Sequence, residues 1–415
     1  MRRRAVTPPS APGEFRAGFN YHMARYADAD NAKCLKALVQ SGAKLVRASI
    51  GATFGVVKPK EAVCDWTKPD RCLALLERNG LALDTIVYGT PDWAVDEKHS
   101  GLSWTLGRWR TPVRRGAFRE FCRALAARYG TRIAWYEIGN EWDLIPPEAM
   151  DTDEAIEMQR EGYEGVKAGC PEAKVIPNGW AVVHSDVIPH RTQRDMQERM
   201  MTEAVDFYDA HPVHQHGPYR EYRRRLAEFF AWRKAKGIAR KPWYSNETAQ
   251  TTSNVGEERI AECVWQKILH AWAHGSVDYI WYNLRAIGFG PYDGESGYGV
   301  VTGDFYPRAT YAAFAGLTSC FERHAAGLHR RHLGTYRREA ELLPRPCLPE
   351  RGGHGEAVCR RVCRHRRAVR HEVRRGIHGL RSAREGGGME HAAQDNPGRH
   401  RRAPCARHPP CTRDS

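Results

Sequence analysis

Apolar runs that favour strands alternate along the first three hundred residues with segments whose apolar positions recur every three or four residues. This alternation is the mark of a parallel sheet with crossover helices. Eight strand candidates result: Ala17–His22, Lys44–Ile50, Ala82–Tyr88, Ile133–Gly139, Ala173–Asn178, Val205–Ala210, Pro242–Asn246 and Val277–Asn283. Gly116–Tyr129 reads as a helix with Phe118, Phe121, Cys122, Leu125 and Ala126 on one face. Tyr222–Lys236 turns Leu226, Phe229 and Phe230 inward and Arg223, Arg224 and Arg225 to solvent, while Glu257–His274 carries Ile260, Cys263, Val264 and Ile268 on its core stripe. Arg308–Leu317 is the eighth helix.

Eight such units, with no G-x-G-x-x-G after the first strand, favour a closed (β/α)8 TIM barrel over an open doubly wound sheet. In such a barrel the reactive groups sit at the carboxyl ends of the strands. No run of eighteen apolar residues occurs, so no membrane span is expected.

The pattern fades near Ser319, which divides the chain into a short N-terminal segment (1–14), a barrel (15–318) and a tail (319–415). The tail alters the meaning of the net charge of +15. Residues 321–415 hold 22 Arg, no Lys and 10 acidic groups, or +12, leaving the body near +3. A basic arm for nucleic acid is one reading of this segment. A coding sequence translated out of frame is the preferred one, since Arg without Lys and scattered Cys is what GC-rich DNA then yields. Such a composition cannot bury enough apolar surface to fold, and disorder is expected. Six of the twelve Cys lie at or beyond position 320 without a zinc-like framework; the other six are scattered like buried thiols, with a Cys64–Cys72 bridge as one alternative. Met1–Pro12 is basic and Pro-rich without the apolar stretch of a secretory signal, so the chain as written is expected in the cytoplasm, or outside it if the true start lies upstream.

The chemistry gathers at two strand ends. The fourth candidate runs I-A-W-Y-E-I-G-N-E-W-D, ending in Asn140 and Glu141; the seventh is followed directly by Glu247 in P-W-Y-S-N-E-T. The two glutamates are 106 positions apart, about 35 for each of three β/α repeats, the size such a unit requires. Strands four and seven face one another across an eight-stranded barrel, so the carboxylates can converge on one bond. Glycosidic cleavage needs such a pair, one acid for the leaving oxygen and one carboxylate for the anomeric carbon. A retaining reaction places them about 5 Å apart, with the acid held protonated by its neighbour's charge or by burial. Arg47 and Glu137, both on strands, are expected to pair and to shape the nucleophile's field.

These stretches, with G-F-N-Y-H, G-A-K-L-V-R, D-W-T-K-P-D-R, Y-G-T-P-D-W-A, D-A-H-P and Y-I-W-Y-N-L-R, resemble clan A glycoside hydrolases, most closely family 39, over residues 15–318. The resemblance implies a cofactor-free retaining hydrolase of β-linked oligo- or polysaccharides, with Glu141 as acid/base, Glu247 as nucleophile and Asn140 on the sugar 2-hydroxyl. It implies that His211 lies near the nucleophile, although Val213 replaces the usual Tyr, and Ala286 replaces an Asp found in relatives. Trp281 or Tyr282 would form a stacking floor for sugar, or be core aromatics; Trp93 has the same two readings. Asn20 and His22 at the end of strand one, and Arg47 on strand two, complete the substrate-binding candidates. His211, His214 and His216 are spaced for a metal but have no adjoining carboxylate in sequence, so loop histidines on sugar or solvent are preferred and no metal is assigned. The expected partner is carbohydrate, not nucleic acid or membrane. A catalytically silent carbohydrate-binding barrel is the alternative.

Overall fold

The computed structural model describes residues 15–100, 114–180, 194–252, 255–286 and 297–327. Eight parallel strands, β1 (Arg16–Asn20), β2 (Leu45–Ala48), β3 (Ala82–Val87), β4 (Trp135–Ile138), β5 (Val175–Pro177), β6 (His211–His216), β7 (Trp243–Ala249) and β8 (Ser276–Trp281), run in the order β5-β4-β3-β2-β1-β8-β7-β6. The ring closes where the Asp209 amide, just ahead of β6, donates to the Val175 carbonyl at 2.7 Å. The fold is the expected (β/α)8 barrel.

Helices α1 (Asp28–Gln40), α2 (Phe54–Val57), α3 (Thr67–Arg78), α4 (Ala117–Tyr129), α5 (Thr152–Gly169), α6 (Arg194–Glu203), α7 (Tyr219–Ala235), α8 (Glu257–Ala273) and α9 (Ala309–Gly327) lie between and after the strands. Their apolar stripes face the sheet, and a cluster of Leu45, Trp135, Ile176, Ala210, Tyr244 and Ile280 packs inside the barrel. A reciprocal capping box of Asp151 and Glu154, both bonds at 2.9 Å, starts α5. Arg225, expected in solvent, is buried with Leu226 and Phe229 on the inner side of α7.

Strand six is displaced from its expected place. Val205–Phe207 forms a 3-10 turn, because Phe207 packs outward on Tyr163 and its carbonyl accepts from Gln159 at 2.7 Å. The strand is instead the polar run H-P-V-H-Q-H, with a register shift between Pro212 and His214. The eighth helix also outruns its expected end, and Phe321 packs against Phe15 and Trp272.

Residues 328–415, and with them the readings of a disordered or out-of-frame tail, lie outside the described residues. So do Met1–Pro12. Cys64 and Cys72 are both free thiols, the first exposed and the second buried, so no bridge joins them. No helix among the described residues is long and apolar enough to cross a membrane.

Candidate active site

Strand ends β1, β2, β4, β6 and β7 converge on two carboxylates at the carboxyl mouth of the barrel. On β7, Asn246 and Glu247 are successive, in a stretch where the register with β8 shifts, and both serve one network. Asn246 Nδ2 donates to Glu137 Oε1 at 3.0 Å. Glu247 Oε2 accepts from Asn20 Nδ2 at 2.9 Å and from Arg47 Nη1.

Arg47 is the hub of this network, almost wholly buried. Its Nε and Nη2 donate to the two oxygens of Glu137 at 2.6 and 2.8 Å, and Nη2 also reaches Asn140 Oδ1 at 2.5 Å. A planar guanidinium can serve three partners in fixed directions, which a lysine ammonium cannot. The bidentate pair with Glu137 offsets the cost of burying the charge. The remaining donor fixes Glu247, and the bond to Asn140 Oδ1 leaves that residue's NH2 for a sugar hydroxyl.

Burial by itself would raise the Glu247 carboxyl, but the positive fields of His214, Arg47 and His216 outweigh it and hold the carboxyl well below its usual range. Glu247 therefore stands as a permanent carboxylate.

Glu141 follows β4 in a left-handed conformation, φ 48° and ψ 49°. Its amide donates to the Gly179 carbonyl at 2.8 Å, and its Oε1 meets His214 Nδ1 at 2.8 Å. His214 is fully buried. Burial pushes its pKa down, yet the charge of Glu247 and the bond to Glu141 more than reverse that, leaving it raised. His216, two positions on, sets its Nε2 3.3 Å from Glu247 Oε1. One oxygen of Glu141, one of Glu247 and one ring nitrogen of His216 all lie within 4.8 Å of each other.

Gly179 makes this arrangement possible. A Cβ there would lie 1.7 Å from His214 Nε2, so only glycine lets the imidazole slide beneath the end of β5. The Gly179 amide also donates to Glu137 Oε1 at 3.0 Å, tying that turn to the Arg47 network.

Three of the residues singled out in the sequence lie elsewhere. His211 begins β6 rather than ending strand six; it is buried against Tyr208, Phe229 and Trp232, where burial and the nearby Arg233 and Lys241 hold it neutral. Trp281 points out of the barrel into the helical layer, fully buried, with the Lys267 ammonium 5.7 Å from its ring centre. Trp93, partly buried in the turn after β3, donates its indole N–H to the Lys58 carbonyl at 2.8 Å and packs edge-on to Phe54, with Lys58 and Arg114 against its ring.

Two others stay near the mouth. His22 accepts from the Ser49 amide at 3.3 Å and is kept neutral by burial and by the charges of Arg25 and Arg47, its pKa pushed down to about 3. Tyr282 stands edge-on to His216 at 5.9 Å and to Tyr298 at 5.6 Å, an aromatic corner beside Glu247.

The residues missed in sequence are His214 and His216 as partners of the two carboxylates, together with Gly179, Asn246 and Tyr298. The carboxylates that His214 and His216 lacked in sequence are supplied from the ends of β4 and β7. Period-two alternation carried past His211 would have turned His214 and His216 inward together.

No family model and no curated protein matches the sequence. Solved structures do. A family 39 glycoside hydrolase from the gut symbiont Bacteroides cellulosilyticus WH2 superposes with a TM-score of 0.55 at 16% identity, over 76% of this chain and 66% of that one. An exo-β-1,4-mannosidase from Opitutaceae bacterium strain TAV5 gives 0.57 at 16%, over 76% and 61%. A family 39 β-xylosidase from Caulobacter crescentus gives 0.57 at 15%, over 76% and 73%. The chain thus spans slightly less than two thirds of the first two structures. In fold it is similar to the (β/α)8 glycoside hydrolases of clan A, family 39 among them.

Proposed function

We propose that this chain is a retaining glycoside hydrolase acting on a β-linked oligo- or polysaccharide without a cofactor. The observation that carries the reading is the pair Glu141 and Glu247, on strands four and seven, with carboxylate oxygens within 4.8 Å of each other. Inverting enzymes need about 6.5–9.5 Å to admit a water between the two groups, whereas retaining ones need about 5–5.5 Å.

In the first step Glu141 protonates the glycosidic oxygen while a Glu247 oxygen bonds to the anomeric carbon and the carbon–oxygen bond to the leaving group breaks. With Oε1 engaged by His214, Oε2 of Glu141 is left to carry the proton. The glycosyl ester so formed removes the charge of Glu247. Glu141, now a carboxylate, takes a proton from water; the hydroxide oxygen bonds to the anomeric carbon and Glu247 leaves. Asn140, held by Arg47, donates to the 2-hydroxyl, and the corner of Tyr282 and Tyr298 offers apolar surface to a sugar ring. The neighbours named a mannosidase and a xylosidase make β-mannosides and β-xylosides the first substrates to try.

The test is a panel of chromogenic β-glycosides and bacterial exopolysaccharides with wild type, Glu141→Ala and Glu247→Ala, and proton NMR of the first-formed anomer. Loss of the acid/base should cost about 10²–10⁴-fold, and loss of the nucleophile more, since the covalent route is gone. Equal turnover in wild type and Glu247→Ala would end the nucleophile assignment, and first-formed product of inverted configuration would end the retaining one.

A further inference from the structure

Beside Glu141 and Glu247 at the mouth stands the imidazole of His216, which the displacement chemistry does not use. Zinc in a site with an open position takes three protein ligands, commonly histidine nitrogen and carboxylate oxygen, with water as the fourth. Two tetrahedral ligands, each about 2.0–2.1 Å from the ion, stand about 3.3 Å apart. His216 Nε2 and Glu247 Oε1 are 3.3 Å apart, and a Glu141 oxygen lies within 4.8 Å of both ligating residues.

We propose that Glu141, His216 and Glu247 also form a binding site for a zinc-like divalent transition ion that competes with the sugar. Three features of the surroundings favour this. Arg47 and Asn20 hold the opposite oxygen of Glu247, Oε2, which fixes Oε1 as the one facing His216 and keeps the guanidinium off the ion's side. His214 holds Oε1 of Glu141, so a small rotation of that side chain brings Oε2 to the ion. The carboxyl groups of Glu137, Glu141 and Glu247 gather at this end of the barrel, and His214 and Arg47 bond the Glu141 and Glu247 oxygens turned from the ion. The ligand set contains nitrogen and only three protein donors, which suits zinc or copper and not magnesium, whose octahedral shell wants oxygen. The ion would sit where the anomeric carbon must go, so it blocks the reaction.

The competition part rests on the glycosidase reading; the site does not. The chain has other His and Cys residues, so the quantity to read by isothermal titration of ZnCl2 into EDTA-treated, thiol-alkylated full chain is a difference. Wild type should bind one ion more than His216→Ala and one more than Glu247→Gln, while Glu154→Gln, which removes the carboxylate of the separate His99 pair, should bind as many as wild type. MgCl2 should not compete. With an active substrate in hand, zinc should raise KM at least about tenfold with kcat unchanged, and EDTA should reverse it. Equal zinc in wild type and both mouth variants overturns the site, whatever the turnover. Zinc bound at the mouth by a chain that cleaves no glycoside upholds the site and counts against the hydrolase instead.

Discussion

The imidazole of His214, fully buried on β6, lies 2.8 Å from Glu141 through Nδ1 while its other nitrogen fills the space where any residue but glycine at position 179 would carry a Cβ. The turn that follows β5 thereby sets the position of Glu141, which follows the neighbouring strand β4.

Gly179→Ala is therefore expected to displace His214 and, with it, Glu141. A misplacement of about 1 Å in a catalytic group can cost roughly 10²-fold, so kcat/KM should fall by one to two orders of magnitude while the fold persists. His211→Phe, which alters the histidine at the far end of the same strand, should leave kcat/KM within about twofold. Steady-state kinetics of both variants check this; a large loss in His211→Phe with none in Gly179→Ala would reverse the placement of the two histidines.

Titration of His214 should report on Glu247. Burial depresses the imidazole pKa, but the Glu247 charge and the Glu141 bond raise it above 6.5, so removing the charge in Glu247→Gln should drop it below its wild-type value. A raised histidine pKa means that the stability it contributes is whole below about 6.5 and is lost as pH climbs through the folded value. Glu247 behaves oppositely: with its pKa depressed, its contribution is present above about 4.5 and is lost only in strong acid. Ring-proton NMR between pH 5 and 9 reads the first, and the absence of a Glu247 limb in kcat/KM above pH 4 reads the second.

Arg47→Lys should not rescue the site. One ammonium cannot reproduce the fork on Glu137 together with the bonds to Glu247 and Asn140. Leaving buried carboxylates without their partner costs about 3–5 kcal/mol, so urea unfolding should show a loss of that order, with kcat falling in the same variant. Wild-type stability in Arg47→Lys would mean that the network is not what holds the strand ends together.

Lys267 on α8 is buried without an acidic partner among the described residues, donating to the Gln215 carbonyl at 3.1 Å and the Ala249 carbonyl at 2.9 Å. Burial pushes its pKa down to about 8. The folded chain then binds fewer protons than the unfolded one between about 8 and 10.5, so Lys267 adds stability as pH rises through that window. The gap in unfolding free energy between wild type and Lys267→Met should shift in favour of wild type by about 3 kcal/mol from pH 7.5 to 10.5. No shift would place the ammonium in contact with water.

The barrel, and the two glutamates at the ends of strands four and seven, were legible in the sequence because both rest on local pattern. Apolar periodicity marks elements in a buried parallel sheet, and a repeat of about 35 residues puts any strand-end residue at the same mouth. Pairing of Arg47 with Glu137 was legible too, since a charge on a buried strand requires a partner. Strand six was not, for a physical reason: its inner face lines a polar pocket, so H-P-V-H-Q-H lacks the apolar signature, while Val205 and Phe207 beside it carry that signature for a helix-facing turn. Nor could sequence choose between the faces of β8, where one residue of register decides that Trp281 lies against Lys267 and Tyr282 beside His216. The chain alone determined which carboxylates meet. Which histidine touches which carboxylate, and the absence of a side chain at Gly179 that permits it, depend on contacts between strands distant in sequence, and only the tertiary structure decided them.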